Sequence, residues 1–220
     1  TGEIVHQEKH AWRTDAGGVV GGTKALLGDG QVYAGGPHHF LAMDQQTGLE
    51  GEAWIDGRQM ALSDEHAFIA TGTQIVSVDR DVHAEASKEK QKWFMKAREY
   101  RRIPDKLADA KAEMKKFAGI GVEWSFEAEY DDALIACQNL VIVGGQDKVI
   151  ALDRTSGELQ WQFVVVGNVR GLALSDGLLT VSTDAGRIYA FSSADTPSPK
   201  SWPESLEPAP FPQDELTEFY

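Results

Sequence analysis

Four segments of this chain repeat one another, and that repetition limits the fold more tightly than any other feature. The first is Gly28-Asp29-Gly30-Gln31-Val32-Tyr33-Ala34-Gly35, then Phe40-Leu41-Ala42-Met43-Asp44. The second is Ser63-Asp64-Glu65-His66-Ala67-Phe68-Ile69-Ala70, then Ile75-Val76-Ser77-Val78-Asp79. The third is Ala136-Cys137-Gln138-Asn139-Leu140-Val141-Ile142-Val143, then Val149-Ile150-Ala151-Leu152-Asp153. The fourth is Ser175-Asp176-Gly177-Leu178-Leu179-Thr180-Val181-Ser182, then Arg187-Ile188-Tyr189-Ala190-Phe191-Ser192. Setting 64, 137 and 176 equivalent to Asp29 gives steps of 35, 73 and 39, the middle one enlarged by an insertion. Each run is short, rich in β-branched and aromatic residues, and broken by Gly, Asp or Asn, the composition of strands and tight turns. A period of 35–40 built from such runs is that of a four-stranded β-propeller blade.

The pattern predicts strands at 23–28, 31–35, 39–43 and 51–55 in a first blade, and at 59–62, 66–70, 74–78 and 122–127 in a second. A third follows at 132–136, 139–143, 148–152 and 158–164, with Gly144-Gly145-Gln146-Asp147 as its hairpin turn, and a fourth at 170–174, 178–182 and 187–191. The fourth blade has no evident outer strand. Thr1-Gly2-Glu3-Ile4-Val5-His6 resembles Ser156-Gly157-Glu158-Leu159-Gln160-Trp161, so the chain opens on an outer strand of a preceding blade. An open blade edge invites pairing. Three arrangements satisfy it: residues 2–7 close blade four of the same chain, they close it in a second copy, or further blades lie upstream. The expected fold is all-β, with about four blades forming half of an eight-bladed ring.

Residues 84–118 break the β pattern. Residues 84–100 are rich in helix formers, Pro104 suits the first turn of a second helix, and Gly119 suits its C-cap. A helical hairpin between the third and fourth strands of blade two is expected. Trp93, Phe94, Ala97 and Tyr100 share one face, and Leu107, Ala110, Met114 and Phe117 another. Charge is divided unevenly. Residues 80–118 carry 12 Lys/Arg against 7 Asp/Glu, and the remainder 9 against 27. The net charge of -13 disfavours a phosphate backbone as partner. Trp93, Lys96, Tyr100, Arg101 and Arg102 form a candidate surface for a protein partner, suited to the acidic body of a neighbour.

Ala151-Leu152-Asp153-Arg154-Thr155-Ser156-Gly157-Glu158-Leu159-Gln160-Trp161 resembles the Ala-x-Asp-x-x-x-Gly-x-x-x-Trp repeat of the pyrroloquinoline-quinone (PQQ)-like propellers. That family includes quinoprotein alcohol dehydrogenases and the propeller lipoprotein of the outer-membrane β-barrel assembly machinery. The first unit keeps Ala42, Asp44 and Gly48, with Glu52 in place of the tryptophan. The second keeps Asp79 and, after the insertion, Trp124. The fourth keeps Ala190 and replaces the aspartate by Ser192. The resemblance implies a structural role for all of these, with Asp accepting turn N–H groups, Gly allowing positive φ, and Trp packing between blades. It also implies a periplasmic, cell-envelope or exported location.

No catalytic, cofactor-binding or metal-binding residue is assigned. His38 and His39 are adjacent and point to opposite sides of a strand, and Gly17-Gly18-Val19-Val20-Gly21-Gly22 reads as a flexible approach to blade one. The resemblance implies PQQ held between a tryptophan and a disulfide of adjacent cysteines, and Cys137, the only cysteine, reads as a buried inert thiol. No cofactor is expected. No 18-residue apolar run spans a membrane. The organisation is a propeller segment at 1–192, interrupted at 84–118, and a tail at 193–220 holding six of the eight prolines. The expected function is a non-catalytic scaffold or protein-binding module, with a homodimer closing the ring as one form. The rivals are a fragment of a PQQ-dependent dehydrogenase and a small-ligand or sugar-binding propeller.

Overall fold

A computed structural model describes residues 13–14, 18–19, 24–28, 30–35, 39–47, 50–63, 65–130 and 132–192. The opening pair, β1 (Arg13–Thr14) and β2 (Gly18–Val19), is antiparallel, so part of the glycine-rich approach to blade one is paired rather than free. Blade one is β3 (Lys24–Gly28), β4 (Gln31–Gly35), β5 (His39–Asp44) and β6 (Glu50–Asp56), in that sheet order. Blade two is β7 (Gln59–Leu62), β8 (His66–Ala70) and β9 (Gln74–Asp79), then helices α1 (Arg80–Glu99) and α2 (Pro104–Lys116), then β10 (Val122–Glu127). The helices begin four residues before the expected insertion, directly after the last strand residue, Asp79. Gly119, with φ of 80°, lies two residues beyond the observed C-cap, Phe117.

The next sheet joins β11 (Ala133–Ala136), β12 (Leu140–Asp153), β13 (Leu159–Ser175), β14 (Leu178–Thr183) and β15 (Ile188–Ser192). A straight 14-residue strand would span about 45 Å. Yet the backbone N–H of Arg154 donates to the carbonyl of Asn139 at 2.9 Å, so β12 doubles back. The side chains agree. Val141 and Val143 share a core layer with Ile150 and Leu152, whereas Ile142 shares another with Val149 and Ala151. Parity inverts across Gln146-Asp147, where Asp147 has φ of 55°. The expected hairpin is therefore present inside β12. β13 pairs first with the returning arm of β12 and then with β14, passing from blade three into blade four. Among the described residues β15 is the edge of blade four.

The register corrects one alignment. Gln45 N–H donates to Gly30 O, Arg80 N–H to Glu65 O, and Arg154 N–H to Asn139 O. Positions 30, 65 and 139 are thus equivalent, and Asp29 corresponds to Gln138 rather than Cys137. The turn at 137–139 lacks the Asp-Gly pair that marks the corresponding turns at 29–30 and 176–177, so composition left it free by one residue.

The core lies between blades, in three layers. Tyr33, Phe40 and Ala42 of blade one meet Met60, Ala67, Ile69 and Val78 of blade two. Phe68, Ile75 and Trp124 of blade two meet Val141, Val143, Ile150 and Leu152 of blade three. Ile142, Val149 and Ala151 of blade three meet Leu179 and Val181 of blade four. In blades two and three the strands alternate between the two neighbouring layers because successive side chains point to opposite faces. Each fully buried large side chain contributes about 1.5–3 kcal/mol, so a blade is held mainly by its neighbours.

Candidate functional site

The repeat motif sits at the seams. Asp153 Oδ1 accepts from the backbone N–H of Thr155 at 3.0 Å and of Ser156 at 2.8 Å, and from the Ser156 hydroxyl at 3.1 Å. Asp44 Oδ1 does the same with Thr47 N–H at 2.7 Å, the Thr47 hydroxyl at 2.8 Å and Gln46 N–H at 3.0 Å. These bonds, led by the backbone N–H of Ser156 and of Thr47, hold both carboxyls below the usual aspartate range. Ala42, Ser77 and Ala151 pair across the ladder with Glu52, Trp124 and Trp161, so the small motif residue stands opposite the tryptophan position. Trp124 leans onto blade three, where its indole N–H donates to Arg154 O at 2.9 Å. Gly157, with φ of 73°, lies under that ring, and a Cβ there would sit 2.6 Å from Trp124 Cδ2. Trp161 leans toward blade four, 6.0 Å from Phe191. Ala190 is exposed on blade four, and Gly48 lies outside the described residues.

Sequence reasoning missed the arginines that follow two of these aspartates. Arg80 donates to Ser63 O at 3.0 Å and to the Tyr33 hydroxyl of blade one at 3.2 Å, with its guanidinium 5.8 Å from the Tyr33 ring centre. Arg154 donates to Gln138 O at 3.3 Å and Cys137 O at 3.4 Å, with its guanidinium 5.7 Å from the ring of Phe68 in blade two. Tyr33 and Phe68 hold the same place in their blades. Each arginine therefore clamps its own turn to an aromatic ring of the preceding blade. The dipeptides Asp79-Arg80 and Asp153-Arg154 carried that signal. A second set links the inner strands. Lys24 Nζ donates to Arg58 O at 3.2 Å, and Gln59 Nε2 to Asp132 O at 2.7 Å. Between blades three and four, Arg170 bridges Asp132 and Asp184, 3.0 Å from each.

The helical hairpin grows from the same turn chemistry. Asp79 Oδ1 accepts from Val82 N–H at 2.9 Å and is the N-cap of α1. An aspartate turn and a helix N-cap use the same acceptor for the same donor, so a helix extends this turn without rebuilding it. Gly121 closes the root. Its φ is 81°, and a Cβ would lie 2.8 Å from the His83 nitrogen. α1 packs along β6 and β9, and Lys90 pairs with Asp56 at 3.1 Å. The two helices meet through buried Ala97 and Ala110, whose small side chains allow close approach, with Trp93, Phe94, Leu107 and Met114 half-buried.

Five named residues were expected to share a surface here, and the structure places them as follows. Lys96 Nζ lies 3.9 Å from the ring centre of half-buried Trp93, and Lys106 Nζ 5.3 Å from that of half-buried Tyr100. Arg101 and Arg102 are exposed in the turn. Lys92, Met95, Lys96, Ile103 and Lys106 are also exposed. The distal end thus presents cationic side chains, two of them over aromatic rings, beside the apolar Met95 and Ile103. At the root, a depression of about 560 Å³ is lined by Val82, Ala86, Phe117 and Ile120 together with Asp81, Glu85 and Glu89.

Other chemistry is sparse. Glu123 Oε2 lies 3.1 Å from His66 Nε2 and accepts from the Ser77 hydroxyl at 3.3 Å. The hydroxyl points at the carboxylate and not at the imidazole, so this trio lacks the nucleophile–base contact of a hydrolase. Burial raises the pKa of the half-buried Cys137 thiol and keeps it protonated. Among the described residues no three His, Cys, Asp or Glu converge to hold a metal ion. Among them too, no helix is long and apolar enough to cross a membrane.

Comparison with known proteins gives the context. Residues 114–207 match the family described as Outer membrane protein assembly factor BamB. Two computationally designed proteins of solved structure share the fold. Ika4 superposes with a TM-score of 0.51 at 13% identity, covering 76% of this chain and 88% of that one. Ika8 superposes with a TM-score of 0.50 at 12% identity, covering 76% of this chain and 44% of that one. BamB from Moraxella catarrhalis gives a TM-score of 0.49 at 13% identity, over 78% of this chain, which spans 42% of that protein. No curated protein matches the chain.

Proposed function

We propose that this chain, a row of PQQ-like β-propeller blades, is a non-catalytic scaffold that holds its helical hairpin against an acidic surface of a partner protein. The observation that carries this reading is the hairpin end, where Lys96 and Lys106 lie over Trp93 and Tyr100 and where Arg101 and Arg102 are exposed. Aromatic and arginine side chains are the residues that anchor protein interfaces, and rim cations steer encounter with an acidic patch. Outside the hairpin the chain is strongly acidic, so the cationic end is charge-distinct from its own support. The match to an outer-membrane assembly factor supports a scaffold role in the cell envelope. The motif residues Asp44, Asp79, Trp124, Asp153, Gly157 and Trp161 serve this function by fixing the blades.

Site-specific photo-crosslinking in cells tests the proposal. A crosslinker at Met95 or Ile103 is expected to give a discrete adduct, and one at exposed Glu127, at the end of β10, is not. Lys96→Glu with Arg101→Glu and Arg102→Glu is expected to abolish the adduct. An adduct that survives this charge reversal refutes the cationic surface. Saturable binding of PQQ with calcium, read by tryptophan fluorescence, would replace the scaffold reading with the dehydrogenase alternative.

A further inference from the structure

We propose that the depression at the root of the helical hairpin is a docking groove for a cationic amphipathic helix of a partner protein. The apolar stripe of that helix lies on Val82, Phe117 and Ile120, and its lysines or arginines face Asp81, Glu85 and Glu89. This groove is distinct from the cationic distal end, and its occupant is independent of the partner read there.

The groove runs between the first half of α1 and the connection from α2 to β10, and it has a volume of about 560 Å³. It is built wholly from the continuous described stretch 65–130. Its floor is buried Ala86 and half-buried Phe117. Ala86 adds only a methyl group there, which keeps the depression open. Val82 and Ile120 flank the floor and are 47% and 40% exposed. The hairpin packs through other residues. Ala97 and Ala110 are buried at the crossing of the helices, and Trp93, Phe94, Leu107 and Met114 are half-buried. Val82 and Ile120 are therefore apolar surface that the packing of the two helices does not cover.

Charge selects the occupant. Every charged residue on the lining is a carboxylate. Asp81, Glu85 and Glu89 recur every fourth residue, so they form one row along α1, about 12 Å long. Glu85 Oε1 lies 2.7 Å from Lys88 Nζ, and Glu89 pairs with Lys92. Both are exposed pairs within one helix, which are held weakly and exchange for a partner's cation. A carboxylate row beside an apolar floor complements a helix that carries lysine or arginine next to its apolar stripe. Cations at i and i+4 of such a helix repeat about every 6 Å, as the carboxylates do. An anionic or wholly apolar segment would cover the carboxylates without pairing them. The distal end of the hairpin lies about 20 Å further along α1, so the two surfaces select partners of opposite charge.

Fluorescence anisotropy with the full chain tests the groove. The probe is a labelled peptide of leucine and lysine, about four helical turns long, whose leucines share one face. The control peptide has the same composition with its leucines spread around the helix. Saturable one-to-one binding of the first peptide is expected, with the control about tenfold weaker or worse. Glu85→Arg with Glu89→Arg is expected to weaken the first peptide about tenfold, and Ile120→Asp, exposed and outside both helices, to do the same. Glu127→Arg with Glu129→Arg makes the same change in net charge at exposed positions off the groove, and is expected to shift affinity by less than about threefold. Equal binding of the two peptides, or an equal loss from the reversal at 127 and 129, overturns the proposal, because the attraction is then only that of an acidic protein for a cation. Absence of saturable binding overturns it as well. If the chain self-associates and the reversal at 85 and 89 abolishes that, the occupant is a second copy and the proposal falls. Lys96→Glu with Arg101→Glu and Arg102→Glu is expected to leave peptide affinity undiminished, which separates failure here from failure of the partner reading.

Discussion

Alanine at Gly157 offers a direct measurement of how much the tryptophan seam constrains the turn. Gly157, Gly30 and Gly186 have nearly the same backbone conformation, with φ of 73°, 73° and 71°. They differ in what a Cβ would meet. At Gly30 and Gly186 there is nothing within 4 Å, whereas at Gly157 Trp124 Cδ2, Cε3 and Cγ lie at 2.6, 2.7 and 3.0 Å. The left-handed conformation alone costs a non-glycine residue about 1–2 kcal/mol. That is the whole effect expected for Gly30→Ala and Gly186→Ala. Gly157→Ala adds the displacement of a ring that is packed on Phe68 and tied to Arg154 O. Overpacking of this kind costs about a further 1–3 kcal/mol. The expected order in urea unfolding, followed by circular dichroism, is Gly157→Ala clearly below the other two, with a total loss of about 2–5 kcal/mol. Trp124 cannot step aside freely, because Gly157 forms part of the surface on which it lies. If Gly157→Ala unfolds at the same urea concentration as Gly30→Ala and Gly186→Ala, the contact contributes nothing, and the account of the motif glycine as a seat for the tryptophan is wrong.

Three further outcomes follow from the seams. Arg154→Ala is expected to lower stability by about 1–3 kcal/mol, through lost charge-assisted hydrogen bonds and the Phe68 contact, and Arg154→Lys to recover less than half, because one ammonium cannot reach both carbonyls and lie over the ring. Thermal unfolding of the two variants checks it. Arg170→Ala is expected to cost under about 1 kcal/mol and to lose that effect in high salt, since both its ion pairs are exposed. Finally, Asp44, Asp153 and Asp184 have pKa values below the ordinary aspartate value of 3.8. A lowered folded-state pKa gives stability that is present above 3.8 and is lost as pH falls through the folded values. Asp153→Asn is therefore expected to flatten the acid limb of stability against pH, and an unchanged limb would refute the turn bonds as its source.

The hairpin also shows how a repeat fold accepts an insertion. In blades one and three the motif aspartate closes a short turn by taking N–H groups two and three residues on. In blade two the same atom takes the N–H three residues on, and the chain continues into α1. The strands on either side keep their register, since Asp79 N–H still donates to Gly121 O and Arg80 N–H to Glu65 O. A helical hairpin is thereby added at a blade rim without disturbing the apolar layers between the blades.

The blade repeat was legible in the amino-acid order because each strand must satisfy two neighbours at once. Alternating runs such as His66-Ala67-Phe68-Ile69-Ala70, set between turn residues, allow few other arrangements. Helix formers from 84 onward likewise disclosed the hairpin, the Asp and Gly positions fit turn chemistry, and the Trp positions came from the resemblance to the PQQ-like repeat. Tertiary structure decided what local pattern leaves free. It placed the turn at 137–139 one residue along, because nothing in Cys137-Gln138-Asn139 fixes a register until Arg154 bonds back to Asn139. It drew Arg80 and Arg154 across to rings in the preceding blade, 47 and 86 residues away in sequence, where no spacing rule reaches. And it divided the apolar residues into buried and bare. Ile75, Val149 and Ile188 are alike in sequence, and among the described residues the first two are packed against a following blade whereas Ile188 is 76% exposed.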